Sequence, residues 1–347
     1  MAARLFTPIS LGGMVLSNRI CVPPMCQCMA AGGIAQPWHA DHYSRLAKSG
    51  AGLLVIECTA VSEQGRITGK DLGLWNDEQG HALGGLVASV RAAAPDTRIC
   101  VQISHAGRKA MMLDADAPAE EIVSCSALPY DERSATPVQL DEAGIRGIIE
   151  AFAQAAERAY LAGVDGVQIH AAHGYLIHQF FSPVSNRRTD AWGGSLENRM
   201  RFGLTVIEAI RKRVPKLPLM LRIAATDWIE GGWQESDAVE FVRRAADLGV
   251  VAVDVTAGGL SPQQKSPQKE PGYQVCYASA IKRGTGLPTA ASGLITDPLQ
   301  AEGILVSGQA DLVSVGRGVL HNPSWGWMAA QSLNAFGAIP PPYFGAF

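Results

Sequence analysis

Eight short apolar runs, separated by stretches of helical periodicity, recur along the whole of this 347-residue chain. They are Ile20 to Val22, Leu53 to Ile56, Ile99 to Val101, Val164 to Ile169, Leu219 to Leu221, Val250 to Val255, Leu287 to Ala291 and Leu312 to Val315. Each is too short for a helix. Most are apolar at consecutive positions, the pattern of a strand covered on both faces. Between them, residues 145–160 place Ile145, Ile148, Ile149, Phe152, Ala156 and Ala159 on one face, with Gly163 as a stop. Ser195 predicts a helix with Leu196, Met200, Ile207 and Ile210 on one stripe, and Ser236 predicts the start of the next, ended by Gly249. Asp297-Pro298 and Asn322-Pro323 each read as an N-cap followed by Pro at the first helical position.

Strand and helix in alternation, eight times over, predict an α/β fold: a (β/α)8 barrel forming a single domain over 1–347. An open doubly wound sheet would favour an early Gly-x-Gly-x-x-Gly turn, and the sequence has none. Two long loops are expected, 110–140 after strand 3 and 257–280 after strand 6. Both leave the C-terminal ends of strands, where barrel enzymes keep their chemistry.

Composition narrows the function classes. With 47% hydrophobic and 18% charged residues the chain reads as globular, not disordered. A net charge of −3 without a concentrated basic face argues against a nucleic-acid partner. No apolar stretch reaches the roughly 18 residues of a membrane span, and residues 1–8 lack the apolar core of a secretory signal, so a cytoplasmic protein is expected. Seven cysteines, an odd number and scattered, are expected as free thiols. Cys26 and Cys28 have no second pair to complete a metal site, and none is expected.

Polar residues cluster at the expected strand ends: Gln102, Lys109, His170, His173, Tyr175, Arg222 and Arg317, with Glu57 the one acid read there. Donors and cations in such excess suit an anionic, oxygen-rich ligand. Gly293 and Gly316 follow strands 7 and 8, the usual phosphate position in this fold, and Arg317 would add a bidentate clamp. His170 and His173 want for carboxylate partners as metal ligands. They read either as donors to a carbonyl oxygen or as hydrogen-bonded core histidines, and Tyr175 two residues on favours a site. Cys26 reads as a small polarisable lining residue in preference to a nucleophile.

These residues also carry a family resemblance. Asn18-Arg19-Ile20, Pro24-Met25-Cys26, His105 to Lys109, His170 to Tyr175, Asn186 to Asp190 with Gly193 to Arg199, Pro271 to Val275 and Gly293-Leu294-Ile295 resemble the old yellow enzymes, FMN-dependent ene reductases, in their bacterial thermophilic-like branch. The likeness runs from about residue 4 to about residue 335. It implies non-covalent FMN on the C-terminal face of a barrel, with NADPH as hydride donor. Pro23, Pro24, Met25 and Cys26 would line the flavin's reactive edge. Cys58 would sit beside the ring, Gln102 at its pyrimidine edge and Arg222 by N1 and the C2 oxygen. Gly293, Gly316 and Arg317 would hold the phosphate. The implied chemistry is ping-pong reduction of the C=C bond of activated alkenes: α,β-unsaturated ketones, aldehydes, imides and nitroalkenes. In it His170 and His173 anchor the substrate oxygen and Tyr175 protonates the α-carbon. A homo-oligomer, dimer or tetramer, is implied as well.

Two positions depart from the family pattern. Cys28 stands where a substrate-binding tyrosine is usual, and residues 342–347 lack the basic residue that often reaches a neighbouring subunit. Two other readings stay open at this level: a flavin-free barrel lyase or aldolase acting on a phosphorylated substrate, and a flavin-binding redox sensor working through Cys26 and Cys28. The first is weakened by the lack of a Lys at the end of a strand-like run to form a Schiff base.

Overall fold

The computed structural model describes residues 3–110 and 122–346. Among the described residues, eight parallel strands close on themselves: β1 (Ile20–Val22), β2 (Leu53–Ala60), β3 (Arg98–Ser104), β4 (Gly166–Ala171), β5 (Leu219–Ala224), β6 (Val250–Thr256), β7 (Thr289–Ala291) and β8 (Leu312–Ser314). Each pairs with its neighbours in sequence, and β8 pairs with β1 to close the ring. All eight expected runs fall on these strands. Helices α1 (Pro37–Ala47), α2 (Asp77–Ala93), α3 (Glu142–Leu161), α4 (Leu196–Arg213), α5 (Glu235–Asp247), α6 (Val275–Thr285) and α7 (Pro298–Val306) follow successive strands, and α8 (Trp325–Ser332) follows the last.

The stop and start signals mostly act as expected. Ser195 Oγ accepts the Asn198 N–H at the head of α4, and Asp297 accepts the Leu299 N–H at the head of α7. Two starts differ. Helix α5 begins at Glu235, one residue before Ser236, because Gln234 and Asp237 form a reciprocal capping box that takes the cap position. Helix α8 begins at Trp325, not after Asn322: the Asn322 side chain accepts the Ser324 N–H and closes a turn through Pro323 first. The expected loop 257–280 gives way to α6 at Val275. Part of the expected loop 110–140, residues 111–121, lies outside the described residues; the rest includes a short parallel pairing of Val123–Ser124 with Val138–Gln139.

Alternation along the strands sends every second side chain into the barrel. At the N-terminal end those positions are apolar: Cys21, Leu53, Val55, Cys100, Met220, Ala252, Ala290 and Leu312 form one cluster with Leu11, Met14 and Leu16. The last three come from an antiparallel hairpin, Ile9–Leu11 with Met14–Leu16, that plugs this end. Further along five of the strands the inward positions turn polar: Gln102 on β3, Gln168 and His170 on β4, Arg222 on β5, Asp254 on β6 and Ser314 on β8. A sealed apolar floor and a polar upper layer leave the C-terminal mouth as the place for a ligand.

Candidate active site

The C-terminal mouth holds a cavity of about 380 Å3. Pro23, Pro24 and Met25 after β1, Arg222 on β5, Gly293 after β7 and Gly316-Arg317 after β8 all line it, together with His173 after β4. Residues from five strand ends, far apart in sequence, thus meet in one site. The other expected site residues stand beside it. His170 packs edge-on against His173, ring centroids 5.1 Å apart, and against Tyr175 at 4.9 Å. Tyr175 lies against a small cluster that includes Cys58 and Ala106. Cys58 hydrogen-bonds the Cys26 sulfur, and that bond with burial holds its thiol well above the usual range. Gln102 is buried and donates through Nε2 to Gln168 Oε1 at 2.7 Å. Cys28 is half-buried with φ +54, its thiol against Thr68.

Glu57, the one acid read at the strand ends, serves a different purpose. A bulge in β2 between Ile56 and Cys58 shifts the register, so that Cys58 pairs with Gln102. Glu57 turns to His39, at 3.2 Å, and accepts the Gln27 N–H, tying down the segment after β1. The acid in the polar layer is Asp254, which sequence reasoning missed inside the apolar run 250–255. Its Oδ2 lies 3.2 Å from Arg222 Nε, and Ser314 Oγ donates to its Oδ1 at 3.2 Å. Burial pushes the Asp254 carboxyl up, and the Arg222 cation pulls it back. Thr256 and Trp228 were also missed; both line the cavity. Trp228 has φ +57 and donates from Nε1 to Tyr277 OH at 2.8 Å.

Both histidines are held neutral. Burial lowers His170 far below the usual range, with His173 and Arg222 adding to the effect. Burial and then Arg222 do the same to His173. His170 Nδ1 accepts the Ala172 N–H at 3.2 Å, which leaves the ring proton on Nε2 as a donor. His173 Nε2 lies 3.2 Å from Thr256 Oγ1. The same Thr256 hydroxyl also donates to Gln274 Oε1, at 3.4 Å. His173 sits at φ +57, a conformation that costs a non-glycine residue on the order of 1–3 kcal/mol. Lys109 helps hold it: Nζ donates to His173 O at 2.9 Å and to Gly259 O at 3.2 Å. Burial, then Arg108, lowers Lys109 to about 8, while burial keeps the Tyr175 phenol protonated far above neutral pH.

The cavity's lining, with Arg222 and Arg317 among polar and apolar groups, suits a polar ligand. A Cβ at Gly316 would stand 3.3 Å from Pro23 Cγ and 3.4 Å from Met25 Sδ, at the wall of the cavity. A Cβ at Gly293, which has φ +113, would lie 3.1 Å from Gln274 N and 3.2 Å from the Tyr273 ring. Gln168 Nε2 is buried with no hydrogen-bond partner among the described residues. Buried donors in that state call for an acceptor from a ligand.

The sequence matches the NADH:flavin oxidoreductase / NADH oxidase family over residues 4–335. The chain belongs to this family. Its old yellow enzyme motifs and its oxidoreductase class agree, and the flavin-free lyase reading falls away. The chain is 43% identical to an NADPH dehydrogenase of Geobacillus thermodenitrificans, covering 98% of this chain and 97% of that one. It is 41% identical to an NADPH dehydrogenase of Bacillus subtilis, covering 99% and 98%. Among solved structures, morphinone reductase superposes with a TM-score of 0.81 at 27% identity, over 99% of this chain and 93% of that one. A 2-naphthoyl-CoA reductase complex superposes with a TM-score of 0.89 at 25% identity, over 96% and 53%. Among the described residues, no helix of this old yellow enzyme family member is long and apolar enough to cross a membrane, and no three His, Cys, Asp or Glu side chains group as a metal site.

Proposed function

We propose that this enzyme holds FMN without a covalent bond in the mouth of the barrel and uses NADPH to reduce the C=C bond of activated alkenes: enones, enals, imides and nitroalkenes. The observation that carries the reading is the single cavity in which Arg222, the Pro23–Met25 segment and the Gly293/Gly316-Arg317 pair surround one space next to His173. The 43% identical relative's name, NADPH dehydrogenase, supports the choice of reductant.

Pro23 to Cys26, Cys58 and Gln102 would frame the ring, Arg222 its N1 side, and Gly293, Gly316 and Arg317 the phosphate. Bound there, FMN would supply two-electron hydride chemistry between a nicotinamide and an electron-poor alkene. The chain's own groups do the rest. Each neutral imidazole, His170 and His173, gives one N–H to the substrate oxygen, and these bonds strengthen as that oxygen becomes negative. Arg222, which lines the cavity, would favour negative charge on the group bound beside it. Tyr175 keeps its proton at neutral pH and delivers it to the α-carbon. The shared use of one cavity by nicotinamide and alkene makes the kinetics ping-pong. A homo-oligomer is part of the proposal, supported by exposed Met328, Phe336, Tyr343 and Phe344 near the C-terminal end of the described chain.

Acid release and chromatography should yield FMN and not FAD, because the cavity offers one phosphate niche. Stopped-flow mixing with NADPH, and then with cyclohexenone, should show flavin bleaching followed by recovery. FAD in the extract, or flavin that NADPH bleaches but no activated alkene restores, sinks the reading.

A further inference from the structure

We propose that His178 and Asp227 are positioning residues that hold the His173–Gly174 turn in the shape that presents the two imidazoles to substrate. The proposal rests on the oxygen-anchor reading of His170 and His173 given above.

His173 and Gly174 are consecutive residues at positive φ, +57 and +74. Such a turn persists only where its surroundings over-determine it. On one side it is pressed backbone to backbone against the loop after β6: a Cβ on Gly174 would lie 2.3 Å from Gly259 O, and one on Gly259 would lie 2.7 Å from His173 Cα. On the other side, Gly174 N donates to His178 Nδ1 at 2.9 Å. Gln179 Nε2 donates to Gly174 O at 2.6 Å. Gly174 is therefore tied at both its N–H and its C=O by side chains of the short helix that follows, Leu176–Phe181.

The tie to His178 depends on its tautomer. Because Nδ1 accepts, the ring proton is on Nε2, which donates to Asp227 Oδ1 at 2.7 Å. Asp227 Oδ2 accepts from Ser182 Oγ at 2.6 Å and from Trp233 N at 2.8 Å. His178, Ser182, Asp227 and Trp233 are all fully buried. A fixed carboxylate at Nε2 makes the other tautomer unfavourable, since that form would aim Nδ1–H at the Gly174 N–H and leave the carboxylate short of a donor. Neither His178 nor Asp227 lines the cavity, so both act through the turn. Asp227 comes from the loop after β5, so the dyad also links the strand 4 and strand 5 ends.

The test uses the full FMN-loaded chain with His178→Asn and His178→Gln. Asn sets a carbonyl oxygen where Nδ1 lies and keeps an acceptor for Gly174. Gln sets its amide where Nε2 lies, keeps a donor for Asp227 and abandons Gly174. The probe is p-hydroxybenzaldehyde, its Kd read from the change in flavin absorbance, with KM and kcat for cyclohexenone alongside. The expected result is that Gln weakens the phenol and raises KM about tenfold, while Asn stays within about threefold of wild type and both retain flavin. Asn and Gln variants that bind alike, or a Gln variant within about twofold of wild type, overturn the proposal. If a His178 variant fails to load flavin, the decision passes to the wild-type protein. There, 15N shifts must show His178 protonated at Nε2 and bare at Nδ1, and the opposite tautomer overturns the proposal. His170→Ala and His173→Ala serve as controls. If both bind the phenol as wild type does, the oxygen-anchor reading itself has failed; if they weaken it and the His178 variants do not, only the positioning role has.

Discussion

Arg222 Nε lies 3.2 Å from Asp254 Oδ2, an ion pair between residues that face each other across the neighbouring strands β5 and β6. Asp254 is 1% exposed and Arg222 lines the cavity, so the carboxylate backs the guanidinium from the floor of the site. The two charges act on a ligand above them with opposite sign. Arg222→Met should lower the midpoint potential of the bound flavin, since it removes the cation that favours added negative charge. At 1.5–3 kcal/mol for a charge-assisted bond, and 30 mV per 1.4 kcal/mol for two electrons, the shift should be roughly 30–65 mV. Asp254→Asn, which removes the opposing charge, should move the potential upward. Spectroelectrochemical titration of both variants checks the pair, and equal midpoints for wild type and Arg222→Met would contradict the role of Arg222.

For the imidazole pair the expectation concerns affinity. Replacing His170 or His173 with Ala should weaken p-hydroxybenzaldehyde and raise KM for enones while FMN stays bound. Each N–H to a charged oxygen contributes on the order of 1.5–3 kcal/mol, so Kd should rise about 10- to 150-fold. Spectral titration reads this directly.

The barrel was legible because its strands are covered on both faces and so read as unbroken apolar runs. That same reading hid Asp254. Inside the run from Val250 to Val255 a single acid looked like noise, although Ala252, Asp254 and Thr256 share the inward face at a spacing of two. A charge within an otherwise apolar buried run was the usable signal. Glu57 misled for the converse reason: the β2 bulge that turns it away from the mouth leaves no mark in the sequence. Nor could sequence pair His178 with Asp227, 49 residues apart, since only the closed barrel brings the ends of neighbouring strands together. The roles given to Gly293, Gly316 and Arg317 came from the fold rule, and the three do share one cavity.

Lys109 carries a pH expectation. Burial, then Arg108, brings it from 10.5 to about 8 in the folded protein. Between those values the unfolded chain binds more protons than the folded one, so stability rises with pH across that window. Below pH 8 both states are protonated and the cost of burying the cation is present in full. Urea unfolding of wild type and Lys109→Met, each from pH 7 to 10.5, should give a difference that is flat up to about pH 8 and then grows in favour of wild type. A difference that stays constant through pH 10 would show that Lys109 keeps an ordinary affinity for its proton.

Cys28 bears on substrate range. A tyrosine there, as the family pattern has it, would offer a hydroxyl donor and a bulky ring; Cys28 offers a weak S–H donor and far less volume. Its backbone holds φ +54, its thiol rests near Thr68, and the position is half-buried. The expected consequence is a wider pocket that holds small enones loosely and admits bulky ones. One neutral hydrogen bond is worth about 0.5–1.5 kcal/mol, so Cys28→Tyr should tighten cyclohexenone by about two- to twelvefold in KM and no more. It should also narrow the range of bulky substrates while FMN affinity stays as in wild type. Steady-state kinetics on one small and one bulky enone decide the matter. Unchanged KM for both would place residue 28 outside the substrate's reach and return the thiol to a packing role beside Thr68.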